Sequence, residues 1–160
     1  MRARLIAYGL LTLFALGCAT VPPTRVHSYW GSTAQRPSRD ATFAWSLEPS
    51  SEGESGDAAL MEMIRERTEA GLISLGYRKR DGRTSADLYV SCRLTTSFQP
   101  TDQGPIDSGS LVIDVVSGAD GRLIWRGWAE GPVDRSLPPE ARQKRVEAAV
   151  HQILEQFKPS

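Results

Sequence analysis

Two runs of alternating apolar residues in the second half of the chain restrict its fold more than any other feature. Residues 87–97 and 109–117 place apolar side chains at every second position, a pattern typical of strands that bury one face. The stretch between them, 101–108, contains Gly and Pro and is predicted to be a loop. A turn at 119–121 leads into a third strand, 122–129, so a hairpin is expected there. In 122–129, bulky side chains occur on both faces of the predicted strand, which predicts a strand that is central or covered on both faces.

Two segments with helical spacing of apolar residues flank these strands. The first begins after Asp57, whose carboxylate can cap free N–H groups, and ends at Gly76, where a glycine readily takes positive φ. Gly71 is costly inside a helix and is expected to allow close approach to a sheet. The second helix opens at the prolines 138–139 and is predicted to end near Phe157. Its expected buried stripe is Val146, Val150, Ile153 and Phe157.

Short alternating segments near 25–30 and at 42–45 add two strands before the first helix. The predicted order is therefore β-β-α-β-β-β-α, in an α+β fold. Because each amphipathic helix must bury its apolar side, we expect a single, mostly antiparallel sheet of four to five strands with both helices on one face. The globular domain is predicted over residues 41–158.

The N-terminus carries an export signal. A basic start is followed by thirteen residues without charge, Leu5–Gly17, which are too few for a helix to cross about 30 Å of hydrocarbon. The segment 15–18, Ala-Leu-Gly-Cys, resembles a bacterial lipobox. Residues 1–17 are therefore predicted to be a signal peptide that is cleaved between Gly17 and Cys18. The alternative is an ordinary secretory signal in which Cys18 has no role.

Lipidation of Cys18 would attach the chain to a membrane. A lipobox cysteine carries a diacylglyceryl group and often a third acyl chain such as palmitate, and two or more chains anchor a protein stably. Ala19, and not Asp, follows the cysteine, which resembles the pattern of lipoproteins of the outer membrane that face the periplasm. Residues 18–40 are then a tether. A first strand near 25–30 would hold the domain close to the membrane.

The charge balance and the cysteine count exclude some classes of protein. Removal of residues 1–17 leaves 17 basic and 19 acidic residues, because Arg2 and Arg4 are lost and no acid is. This balance does not fit a nucleic-acid binder. Cys18 and Cys92 are the two cysteines of the chain, so a lipidated Cys18 leaves no intrachain disulfide, and the core alone must stabilise the domain. The apolar strand around Cys92 favours a core residue over a reactive thiol.

The sequence contains no catalytic constellation. His27 and His151 have no Cys, Asp or Glu at ligand spacing, so no metal site is expected. The serines lack a nucleophile-elbow pattern, and no phosphate-binding Gly-rich loop is present. We therefore expect no enzymatic activity, no catalytic residues and no cofactor.

Four residues of two neighbouring strands form a candidate surface for a ligand or a partner: Asp114, Trp125, Arg126 and Trp128. Asp114 lies in mid-strand and would face Arg93 or Arg126 across the sheet, either in a site or in a structural ion pair. The two tryptophans could line a pocket. Alternatively, at least one belongs to the core and the other packs under a helix or loop.

A set of blocks along the chain resembles the domain-of-unknown-function family 4136, whose members are bacterial envelope lipoproteins. The blocks are Thr42–Trp45, Gly76–Tyr77, Ala86–Val90, Gly109–Asp114, Leu123–Gly127 and a last helix ending near Phe157. The resemblance covers about residues 25–158, and the Trp-Arg-Gly block at 125–127 is its most specific part. Phe43 stands where the family often has Tyr. The resemblance implies an α+β lipoprotein domain and brings no catalytic residues.

Two hypotheses of function follow. The first is a tethered adaptor that docks on a protein of the cell envelope, and an exposed apolar patch or a free sheet edge would favour it. The second is a module that binds a lipid or small amphiphile through the aromatic residues of 122–129, and a deep apolar pocket would favour it.

Overall fold

The computed structural model describes residues 24–32, 34–46, 58–81, 85–101 and 104–158. Six strands and two helices follow one another as β1 (Arg25–Trp30), β2 (Thr42–Trp45), α1 (Ala58–Ser74), β3 (Arg78–Lys79), β4 (Leu88–Thr101), β5 (Gly104–Ser117), β6 (Leu123–Pro132) and α2 (Pro139–Leu154). The predicted signal peptide, the cleavage site at Gly17 and Cys18, and the cap at Asp57 lie outside the described residues. No helix in the described part of the chain is long and apolar enough to span a bilayer.

The six strands form one mixed sheet in the order β1-β6-β5-β4-β2-β3. The α+β class, the strands near 25–30 and at 42–45, and both helices are confirmed. The prediction of four to five mostly antiparallel strands was wrong in detail, because β2 pairs in parallel with both β3 and β4. A parallel pair needs a crossover connection, and α1 lies in the chain between β2 and these partners. The two-residue β3 gave no alternating pattern from which to predict it.

The central hairpin is longer than the sequence indicated. The predicted loop 101–108 is largely paired, since the β4–β5 ladder continues to Thr101 opposite Gly104. Pro100 and Pro105 face each other near its end. Proline is tolerated there because, within the described residues, neither strand has a second neighbour that needs its N–H. Gly and Pro, the signals that predicted a loop, mark here the end of a two-stranded ribbon.

Helix α1 ends at Ser74, and Gly76 takes the predicted position just beyond its end with a φ of +98°. The Tyr77 N–H donates to the Leu72 carbonyl (3.1 Å) and the Gly76 N–H to the Ile73 carbonyl (2.9 Å), the two bonds of a Schellman motif. The prediction for Gly71 was wrong in its partner. A Cβ at this position would lie 2.3 Å from Leu154 Cδ1, so the missing side chain allows α1 to approach α2, not the sheet.

The core lies between the helices and one face of the sheet. The predicted stripe of α2 is confirmed, with Val150, Ile153 and Phe157 buried and Val146 partly so, although α2 itself ends at Leu154. Phe157 packs within 5.4 Å (ring centroids) of Trp30, Tyr77 and Trp125. The largest fully buried side chains are Trp125, Tyr77, Phe43, Phe157, Ile64 and Leu72.

Candidate functional site

The two faces of the sheet differ along every long strand, and β6 shows the difference most clearly. Trp125 and Gly127 point toward the helices, since a Cβ on Gly127 would lie 2.5 Å from Ile153 Cγ2 of α2. Arg126 and Trp128 therefore point to the opposite face. We call this second side of the sheet the open face, because both helices of the described chain pack on the other side.

An ion pair lies at the centre of the open face. Asp114 of β5 stands directly opposite Arg126 of β6. Arg126 Nε donates to Asp114 Oδ1 at 2.6 Å and Nη2 donates to Oδ2 at 2.7 Å, a bidentate geometry that is among the strongest of charged hydrogen bonds. The Asp114 side chain is 10% exposed and that of Arg126 is 42% exposed. The bonds from Arg126 to this carboxylate raise the pKa of Arg126.

The register decides between the two arginines that the sequence left open. Arg93 stands opposite Val112, two positions along the ladder from the pair formed by Ser91 and Asp114, whereas Arg126 contacts the carboxylate directly. The structural reading of Asp114, a cross-strand ion pair, therefore describes the observed contact.

Aromatic side chains border this ion pair on the side of β1. Trp128 stacks on His27 of β1 with 5.3 Å between ring centroids and an angle of 27°. Tyr29, opposite Arg126 in the β1–β6 register, is 50% exposed. Trp128 thus packs against a neighbouring strand and is half-buried, not under a helix or loop as the sequence suggested. The open face combines a satisfied charge pair with accessible aromatic area.

Trp125 does not belong to this surface. Its side chain is 0% exposed on the helix side of the sheet, where it packs against Phe157. The prediction that Trp125 shares a surface with Asp114, Arg126 and Trp128 was wrong, because residues of odd and even number on one strand point to opposite faces. Trp125 is therefore a core residue, in agreement with the alternative that at least one of the two tryptophans belongs to the core.

Cys92 is a core residue. It is 2% exposed, and its Sγ lies 3.6 Å from the Thr68 hydroxyl of α1. Burial raises the pKa of the Cys92 thiol to about 12. A thiol attacks as the thiolate, so burial and the raised pKa both disfavour reaction of this side chain at neutral pH. The sequence preference for a packing role over a reactive one is consistent with this environment.

A pocket of about 360 Å³ opens between α1 and the β2–β3 edge. Arg65 lies over the Trp45 ring at 4.8 Å, the Trp45 N–H donates to Glu69 at 3.4 Å, and Lys79 pairs with the same Glu69 at 2.9 Å. This group could not be predicted from the sequence, because its members come from β2, α1 and β3 and no motif links these elements. Five of the eight lining residues are charged, so the pocket does not fit a lipid tail.

The histidines lie in different environments. His27 stacks on Trp128, and His151 lies on α2 with its Nδ1 3.6 Å from Glu155 Oε1. The expectation that no acidic residue lies at ligand spacing from His151 was therefore wrong, because Glu155 follows it by one helical turn. Within the described residues, no group of three or more His, Cys, Asp or Glu side chains is placed to hold a metal ion.

Comparison with known proteins gave one family match and several structural matches. The model of the Domain of unknown function (DUF4136) family matches residues 32–159, which confirms the resemblance seen in the sequence. A search of curated proteins found no match. Among solved structures, a dodecamer of a PelC variant from Paraburkholderia phytofirmans is 12% identical, with coverage of 86% of this chain and 98% of that one and a TM-score of 0.55.

Two further solved structures are similar. A PDZ domain protein from Parabacteroides distasonis is 14% identical with a TM-score of 0.59, and the match covers 84% of this chain but 36% of that protein. The lipoprotein GNA1162 from Neisseria meningitidis is 14% identical with a TM-score of 0.44, covering 72% of this chain and 99% of that one. At such identities, the PelC and PDZ-protein matches show a shared fold.

Proposed function

Since the chain belongs to the DUF4136 family of domains of unknown function, we propose a function from its own residues: it is a non-enzymatic lipoprotein of the cell envelope that docks a protein partner on its open face. The observation that carries this proposal is the accessible aromatic surface of Tyr29 and Trp128 beside Arg126, on a face that neither described helix covers.

The residue types of the open face favour a protein partner. Tyr, Trp and Arg are the side chains most enriched among the residues that dominate binding energy in protein interfaces. Two of these side chains are held in place before binding: Trp128 is stacked on His27, and Arg126 is fixed by two bonds to Asp114. A side chain that is already ordered loses less entropy when it binds.

The tether supports a location that suits such a module. We propose that residues 1–17 are removed, that Cys18 is lipidated, and that Ala19 directs the protein to the outer membrane facing the periplasm. Residues 18–24 are then the whole connection between the lipid and β1, so the domain is confined near the membrane. Confinement raises the effective concentration of the domain toward other envelope proteins and strengthens weak contacts.

A module for a lipid or small amphiphile is the other candidate that the sequence left open. It would need an apolar cavity, and the pocket beside Trp45 is lined by the charged side chains of Arg65, Glu69 and Lys79. The proposal therefore rests on the open face.

Site-specific crosslinking in cell envelopes tests the docking proposal. Tyr29 and Ile73 are the two exposed large apolar side chains of the described chain, both 50% exposed, one on the open face and one on α1. A photo-crosslinking amino acid is substituted at each position in turn, and the adducts from intact cells are identified by mass spectrometry. We expect a specific protein adduct from position 29 and none from position 73.

Two controls define the outcomes. Cys18→Ser removes the anchor and should abolish both the membrane location and the adduct. An adduct with a second copy of this chain would identify self-association, which the dodecamer of PelC makes a relevant result. Equal adducts from positions 29 and 73, or none from 29 with the protein still in the membrane, would overturn the open face as the docking site.

A further inference from the structure

Arg93 is an exposed cation on the open face. The sequence allowed it as a partner of Asp114, but the structure pairs that carboxylate with Arg126. Cys92 points into the core, so Arg93, the next residue of β4, points to the open face. Its side chain is exposed, and no carboxylate in the described part of the chain forms an ion pair with it. Arg93 therefore presents its N–H donors to whatever docks there.

The ion pair of the open face turns its cationic side outward. The Asp114 side chain is 10% exposed and that of Arg126 is 42% exposed, so a docking molecule meets the guanidinium before the carboxylate. The pair uses Nε and Nη2 of Arg126 and leaves Nη1 for other bonds. A guanidinium has N–H donors and no acceptor. The outward side of this pair therefore binds hydrogen-bond acceptors.

The two arginines border the apolar centre of the open face. Arg93 stands opposite Val112, and Val112 stands opposite Trp128. Arg126 precedes Trp128 by two residues on β6, so its side chain lies on the same face in the next row. Two strand spacings and one two-residue step separate the Cα atoms of Arg93 and Arg126, or about 12 Å. A side chain that packs on Trp128 thus has donor groups within reach on two sides.

The other charges of this face leave it more basic than the chain as a whole. Arg25 of β1 and Glu130 of β6 are exposed and stand opposite each other. On β1, β4, β5 and β6, the open face therefore carries three arginines, at 25, 93 and 126, against two acids, at 114 and 130. The chain without residues 1–17 has instead more acidic than basic residues. The face is suited to an acidic partner.

This charge balance disfavours two other occupants. In a two-fold contact between copies of the chain the same surface meets itself, so the arginines of one open face would meet those of the other. An anionic lipid surface is typically bound by clusters of about 4–8 Lys and Arg. The open face has three arginines and no lysine on the four described strands named above, and its aromatic centre lies between them.

We propose that the partner is an acidic protein surface whose carboxylates bind Arg93 and Arg126 around an apolar side chain packed on Trp128, a proposal that rests on docking at the open face in the proposed function. Bonds between a guanidinium and a carboxylate are charge-assisted and directional. Complementary charge speeds association and suppresses the wrong partners, whereas the buried aromatic area supplies most of the affinity. Arg93 is then a residue that determines which protein is bound.

Charge reversal at position 93 tests the chemistry of the partner in intact cells. The photo-crosslinking amino acid is kept at position 29, and its protein adduct is quantified with native Arg93, with Arg93→Glu and with Arg142→Glu. Arg142 is exposed on α2, which packs on the other side of the sheet, so its variant makes the same change in net charge away from the open face. We expect Arg93→Glu to reduce the adduct at least about tenfold and Arg142→Glu to leave it unchanged.

Further variants separate charge from shape and from folding. Arg93→Lys keeps the charge and should retain part of the adduct, whereas Arg93→Gln should lower it by less than Arg93→Glu does. Mass spectrometry identifies the partner peptide joined to position 29, and Lys in place of an acidic residue there should restore the adduct of Arg93→Glu. Circular dichroism establishes that each variant is folded. If Arg93→Glu does not fold, the loss of adduct in Arg93→Gln decides.

The outcomes separate this proposal from the docking proposal. No adduct from position 29 in the native chain overturns docking at the open face, and the acidic partner with it. A protein adduct that keeps its full yield in Arg93→Glu and Arg93→Gln leaves docking intact and overturns the acidic partner alone. Equal losses in Arg93→Glu and Arg142→Glu overturn it as well, because they would show an effect of net charge only. An adduct with lipid in place of protein overturns both.

Discussion

Trp125 and Trp128 lie three residues apart on one strand and point to opposite faces of the sheet. Trp125 is 0% exposed among the aromatic rings that meet at Phe157, whereas Trp128 is half-buried on the open face and stacks on a histidine. The same contrast holds between β4 and β5: Cys92 and Ile113 are buried against the helices, and Ser91 and Asp114 are opposite each other on the open face. In the described chain, one face of the sheet packs against the helices and forms the core, and neither helix packs on the other.

Truncation of the two tryptophans should give the largest difference between the faces. Trp125→Ala leaves a cavity beside Phe157 and is expected to lower the free energy of unfolding by about 3–5 kcal/mol. Trp128→Ala removes a stack that is open to water and should cost about 1 kcal/mol. Urea unfolding followed by circular dichroism measures both values. Equal losses for the two variants would contradict the assignment of the faces.

Added volume on the helix face should be the next most damaging change. A Cβ at Gly127 would lie 2.3 Å from the Trp125 ring and 2.5 Å from Ile153, so Gly127→Ala should cost about 1–3 kcal/mol through overpacking. The control is Gly131→Ala on the same strand, where the nearest atom is 3.6 Å away. That variant should unfold at nearly the urea concentration of the original chain. A well-tolerated Gly127→Ala would show that α2 can move away from the sheet.

The sequence predicts most of this fold because periodicity reports the faces of long elements directly. The Schellman motif at Gly76 was predictable because a glycine readily takes positive φ, and the buried stripe of α2 was predictable from the helical spacing of its apolar residues. Periodicity does not report strand partners, so the parallel pairing of β2 and the two-residue β3 were beyond its reach. The length of the central hairpin was not predicted, because Gly and Pro occur both in loops and at the end of a two-stranded ribbon.

The candidate site was predictable only in part, again because periodicity does not report which strands pair or in which register. Both alternating sets of β6 are bulky, so the pattern separates Trp125 from Trp128 without telling which of them faces the helices. The choice between Arg93 and Arg126 as the partner of Asp114 depends on register, and a slip of one residue turns every side chain to the other face. Only the packed structure fixes the register.

The ion pair of the open face should contribute less than the packing of the core. Asp114 is nearly buried but Arg126 is 42% exposed, and water screens a charge pair of this kind. A double-mutant cycle with Asp114→Asn and Arg126→Met is expected to give a coupling of about 1 kcal/mol. The coupling should fall as salt is added, because ions screen exposed charges. A coupling of zero at low salt would mean that the pair only fills space on the open face.

Thiol labelling distinguishes the two faces with the smallest disturbance of the fold. In a Cys18→Ser background, Cys92 should resist alkylation in the folded protein, since it is 2% exposed and burial raises its pKa to about 12. The raised pKa means that the neutral thiol persists up to strongly alkaline pH, and the neutral form does not attack. The matched variant is Ser91→Cys, one residue away on the open face, which should react as an accessible thiol does, faster as the pH rises toward about 8.5.

The count of alkylated thiols by mass spectrometry gives the result. The Ser91→Cys variant should gain one adduct while folded and a second only in urea, when Cys92 becomes exposed. Rapid labelling of Cys92 in the folded chain would mean that α1 opens locally from the sheet at Thr68, its contact with the thiol. Slow labelling of Ser91→Cys would mean instead that something covers the open face. The one pair of residues thus tests the closed face and the open face in the same molecule.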